Sequence, residues 1–138
     1  MNTEMLAPAA ALALWSMIML VWMAGTRLPA LAKLDMAPEK TRGGRGSDLD
    51  GVLPDETQWK AHNYNHLHEQ PTVFYAVAIV LAIVGAGDGL NALLAWIYVG
   101  LRVIHSIVQV TANKVMVRFV LFSLSSVVLI ALIVDAAL

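Results

Sequence analysis

Two runs of polar residues interrupt otherwise apolar sequence, and their spacing places each run on one side of a helix. In the first, His62, Asn65, His66 and Glu69 follow an i, i+3, i+4, i+7 pattern, while His68 lies well off that face. In the second, Arg102, His105, Ser106, Gln109 and Asn113 keep the same period over an arc of roughly 100°. Ionisable groups at membrane depth are costly and mark functional sites. The simplest use of the two runs is mutual satisfaction, with Glu69 paired to Arg102 and the remaining groups hydrogen-bonded across the bundle. Their number exceeds what an interhelical clasp requires, and a polar ligand cavity explains it better. His62, His66 and Glu69 also put two imidazoles and a carboxylate on adjacent turns, a set suited to zinc or iron. No second ligand motif accompanies them, so no metal site is assigned.

The elements that must hold these residues follow from composition. The chain has 138 residues, of which 59% are hydrophobic and only 14% charged, with net charge −1 and no cysteine. Its mean hydropathy is +0.69. A soluble domain has roughly 25% charged residues, so a water-soluble globule is excluded. The near-zero net charge removes the electrostatic footprint of a nucleic-acid binder, and the lack of cysteine excludes thiolate metal sites and thiol nucleophiles. A bilayer span takes about 20 apolar residues. Four fit, at about 6–27, 57–86, 90–112 and 115–135, in a single domain, an all-α four-helix membrane bundle. A charged, Gly- and Pro-rich loop over 28–56 separates the first two. The second span starts near Asp55 and Glu56, and Pro71 is expected to kink it. Asp48, Asp50 and Gly51 give only a faint echo of a calcium loop.

Basic residues set the orientation. Arg27, Lys33, Lys40, Arg42, Arg45 and Lys60 belong to the first loop, and Lys114 and Arg118 to the third. The second loop and both termini have none. The positive-inside rule therefore places the loop 28–56 in the cytoplasm and both termini outside. Compact size and the lack of an organelle signal point to a bacterial inner membrane. Membrane lipids are then obligatory partners, and nucleic acid is not one.

The residues Asn63-Tyr-Asn-His-Leu-His-Glu-Gln-Pro-Thr-Val-Phe-Tyr75 and Trp96-Ile-Tyr-Val-Gly-Leu-Arg-Val-Ile-His105, followed by Asn113 and Arg118, resemble the membrane-associated proteins in eicosanoid and glutathione metabolism, the MAPEG family. The resemblance covers nearly the whole chain. It implies a four-helix bundle assembled as a homotrimer, with glutathione bound between subunits near the cytoplasmic face. It also implies a glutathione-dependent transferase or peroxidase acting on lipophilic electrophiles or hydroperoxides. On this resemblance Glu69 holds the glutathione amino group. His66 stands in place of the family's asparagine, with Asn65 beside it, and His62 stands in place of an arginine. His105 and Gln109 stand where two tyrosines are common, and with Asn113 they complete the binding set. Arg102 and Arg118 are the candidates for the catalytic positive charge beside the thiolate. The alternative is a non-catalytic membrane module of the same fold that binds a lipid or another small molecule in its polar cavity.

Overall fold

A computed structural model describes residues 3–33 and 49–138. The expectations for Lys40, Arg42, Arg45 and Asp48 lie outside the described residues. Among the described residues the chain forms five helical segments and no strand: α1 (Leu6–Ala32), α2 (Asp55–His66), α3 (Gln70–Ile83), α4 (Gly89–Val110) and α5 (Val115–Ala137). At 1.5 Å per residue, α4 and α5 reach about 33 Å, which matches a hydrocarbon core of about 30 Å. With 27 residues, α1 is about 40 Å long. It continues past the expected limit at residue 27, so its last turns stand beyond the apolar core. There they meet α2, against which α1 packs.

The second span is not one helix over 57–86. Its helix starts at Asp55, as the acidic first turn implies, but ends at His66, and a new one starts at Gln70. Pro71 sits in the first turn of α3, where its missing N–H costs no hydrogen bond. The break therefore falls before the proline rather than at it. Leu67 and His68 close α2 by bonding back to Asn63 and Asn65, while Glu69 caps α3 from a non-helical conformation. Alone, α3 spans about 21 Å, so the pass is completed by the polar α2. Only α1, α4 and α5 are by themselves long and apolar enough to cross a bilayer.

A tight turn at 85–89 joins α3 to α4. Gly85 has φ +80 and Ala86 N–H bonds to Leu81 C=O at 2.9 Å, a left-handed helix ending that suits glycine. At the other turn, Asn113 adopts φ 50 and its N–H returns to Val108 C=O at 2.6 Å. Asparagine is one of the few other residues that enter this conformation readily.

Leu12 and Met19 of α1, Phe74, Ala78 and Leu81 of α3, Ala95 and Tyr98 of α4, and Leu129 and Leu132 of α5 form the apolar core. The distribution along α4 is decisive for the environment. Arg102, His105, Ser106 and Gln109 are buried, while Leu93, Ile97, Ile104 and Ile107 face outward. Water would favour the reverse arrangement. A lipid solvent accounts for it, because apolar surface costs nothing there and polar side chains are kept away from the hydrocarbon.

Candidate functional site

The break between α2 and α3 and the start of α5 frame a cleft of about 400 Å³, floored by α4. Its lining consists of His62, His66, Glu69, His105, Gln109, Val115, Arg118, Phe119 and Phe122. Six of the nine residues expected at the site are thereby brought together: His62, His66, Glu69, His105, Gln109 and Arg118. They come from three elements and the connector that carries Glu69. Because Glu69 lies outside helical geometry, it reaches the cleft from the break rather than from a continued helix face.

Arg102, Asn65 and Asn113 are not among the lining residues. Asn65 is exposed, and its neighbour Asn63 is the asparagine turned into the bundle. Asn63 Oδ1 accepts a hydrogen bond from Ser106 Oγ at 2.8 Å, joining α2 to α4 beneath the cleft. The buried Leu67, four residues on, marks that side of α2, and weighting it over the polar residues would have revealed it. Asn113 belongs to the turn closing α4.

The expected Glu69–Arg102 ion pair does not form. Glu69 keeps 68% of its side chain exposed and accepts from His66 Nδ1 at 3.3 Å. Arg102 is only 1% exposed, and none of its three side-chain nitrogens has a hydrogen-bond partner among the described residues. A buried guanidinium without a counter-ion is expensive. It leaves a positive charge with no carboxylate in direct contact, among the described residues, under the floor of the cleft.

Two ring contacts set the inner wall. His66 and His105 stack with centroids 4.9 Å apart and an interplanar angle of 30°, and Phe122 lies 5.9 Å from His66. His66 Nε2, His105 Nδ1, Gln109 Oε1 and Arg118 Nε are buried without partners among the described residues. Deeper in, Tyr98 OH donates to Gln70 Oε1 at 3.0 Å, and Gln70 Nε2 donates to Ser126 Oγ at 2.8 Å. This chain ties α4, α3 and α5 below the cleft.

The outer wall depends on Asp50, Gln58 and Arg27, none of which was singled out from the sequence as a site residue. Arg27 Nη2 donates to Gln58 Oε1 at 3.0 Å, and Gln58 Nε2 donates to Asp50 Oδ1 at 2.6 Å. His62 Nε2 donates to the same oxygen at 2.9 Å. Gln58 first, and then His62, hold the Asp50 carboxyl below its usual value of 3.8. Lys60 lies 5.4 Å over the ring of Trp22. Arg27 and Lys60 join α1 and α2 outside the cleft, and Arg118 is among its lining residues. The three-ligand face His62, His66, Glu69 is not assembled, because His62 and His66 engage different carboxylates. Among the described residues no group of three such side chains is placed to hold a metal ion.

These features define a class: a small helical membrane protein with a polar, histidine-lined cleft between helices at one end of its bundle. The MAPEG family model matches residues 5–138, essentially the whole chain, and the protein belongs to that family. No curated protein matches it. No solved structure matches it either.

Proposed function

We propose that the protein is a glutathione-dependent transferase or peroxidase that works on lipophilic electrophiles or hydroperoxides reaching it through the bilayer. The observation that carries this reading is the cleft itself, where Glu69 and Arg118 line the same space as three histidines and Gln109. Its size lies within the 300–1,000 Å³ typical of small-molecule sites.

The donor set fits the tripeptide. The exposed Glu69 carboxylate is free on one oxygen to accept an ammonium group. With its Nδ1–H given to Glu69, His66 leaves the buried, unpartnered Nε2 as an acceptor suited to a peptide N–H, while the unpartnered His105 Nδ1 suits a carboxylate or peptide oxygen. When bound, glutathione supplies a sulfur nucleophile, which this cysteine-free chain lacks. Arg118 stabilises the thiolate over the thiol, as a cation beside sulfur must. Arg102 adds positive potential from beneath the floor without touching the ligand. Gln109 orients the peptide, and Phe119 and Phe122 keep water from the sulfur on the lipid side. On this reading the assembly is a homotrimer in which a neighbouring subunit closes the outer side of the cleft. The basic end faces the cytoplasm, both termini lie outside, and the membrane is a bacterial inner membrane.

Calorimetry of the detergent-purified protein with glutathione tests the reading. Saturable heat at or below millimolar ligand is expected, and its absence from a folded trimer would defeat the proposal. The second reading is a non-catalytic module, favoured by the internal Asn63–Ser106 and Tyr98–Gln70–Ser126 bonds. It predicts binding of a lipid or small molecule without turnover of glutathione.

A further inference from the structure

His62 lines the cleft, yet its outermost ring nitrogen is engaged elsewhere. Nε2 is the atom that projects furthest from the backbone, and it donates to Asp50 at 2.9 Å. Asp50 is held in place from two directions. A turn at residues 49–52, closed by Val52 N–H to Leu49 C=O at 2.9 Å and followed by the buried Leu53, fixes its backbone. Gln58, one helical turn before His62, fixes its carboxylate and is itself held by Arg27 from α1.

The contact is built to be exchanged. Both side chains are close to half exposed, and pairs of that kind contribute little net stability. Among the described residues the cleft has few fixed cations, because Arg118 is the only lysine or arginine of that lining and Glu69 opposes it. A second donor at the rim therefore matters for any ligand carrying a carboxylate, and Asp50 already occupies that donor.

We infer that Asp50 is a specificity residue of this cleft, an internal carboxylate that competes with the ligand's anionic group for the Nε2–H of His62. Ligand binding exchanges one carboxylate for another at His62 and leaves Asp50 with Gln58 alone. This rests on the reading of the cleft as a site for a carboxylate-bearing small molecule. It does not require that molecule to be glutathione.

The test is titration calorimetry on the full chain in detergent, with glutathione and separately with glutarate, which has carboxylates but neither amine nor thiol. Asp50→Asn is expected to tighten binding about threefold, the scale of an exposed ion pair. The gain disappears in a His62→Leu background, since the contested donor is then gone. Asp55→Asn removes the same charge from the start of α2 and serves as the control for a general field effect. Unchanged or weaker binding to Asp50→Asn overturns the inference. So does an equal gain from Asp55→Asn, or a gain that survives His62→Leu. Should Asp50→Asn not fold, Asp50→Ser carries the same expectation. A gain with glutarate while glutathione gives no heat supports Asp50 as competitor and rejects the glutathione reading. Silence of both probes in every variant rejects both.

Discussion

Replacing Ser106 by alanine tests the joint on which the cleft is built. Ser106 and Asn63 are both 0% exposed, and their single bond of 2.8 Å links α4 to α2. Asn63 Nδ2 has no partner among the described residues, so Ser106→Ala leaves the whole amide unsatisfied in an apolar interior. Orphaning a buried polar group costs about 1–3 kcal/mol. In membranes the unfolded reference also finds partners, and measured interhelical bonds average about 0.6 kcal/mol with a maximum near 1.7. A loss of about 1–2 kcal/mol is therefore expected, read by reversible unfolding in mixed micelles. The complementary change is Asn63→Leu, which removes the orphan at similar volume. Placed on top of Ser106→Ala, it is expected to restore at least half of the loss, because two apolar groups replace an unmatched polar one. His66 lies one turn after Asn63, and His105 immediately precedes Ser106, so weaker glutathione binding accompanies the single variant. A loss below about 0.3 kcal/mol, or a double variant less stable than the single one, would refute this reasoning.

Glu69→Gln is expected to leave stability within about 0.5 kcal/mol, since its one bond to His66 is largely exposed. The same variant is expected to weaken glutathione binding about tenfold, the scale of one charge-assisted hydrogen bond. Equilibrium unfolding and calorimetry on the same sample separate the two effects. The Asp50 carboxyl, followed by carbon-13 NMR, is expected to titrate below 3.8 and to move up toward that value in Gln58→Ala. Its folded-state pKa is depressed, so its contribution is present above 3.8 and fades as pH falls through the lower folded value. An Asp50 titration at or above 3.8 in the wild type would show that the Gln58 and His62 bonds do not form.

The helices were legible because apolar run length and the absence of charge decide what can cross a bilayer. The stripe on α4 was legible for a related reason: a regular 22-residue helix turns Arg102, His105, Ser106 and Gln109 to one side, and lipid forces that side inward. Residues 62–69 were read with the same ruler, but the helix stops at His66. Beyond that point periodicity no longer says where Glu69 goes, so the Glu69–Arg102 pair was expected and does not exist. The orientation of α2 was misjudged for another reason. Its polar residues surround the helix, and no count of polar positions distinguishes the buried Asn63 from the exposed Asn65. Asp50 lies in a turn that packing against α2 positions, and neighbouring residues in the sequence do not reveal such a contact.

The most direct test is the ultraviolet thiolate absorbance of glutathione mixed with the purified protein near neutral pH, compared with the Arg118→Gln variant. Glutathione free in solution is mostly thiol there, since an unperturbed thiol has a pKa of about 8.5. The expected result is a stoichiometric thiolate signal with the wild-type protein and its loss, with binding retained, in Arg118→Gln. Glutathione that binds wholly as thiol, or a thiolate signal that survives Arg118→Gln, would contradict the assignment of this cleft as a thiolate-stabilising site.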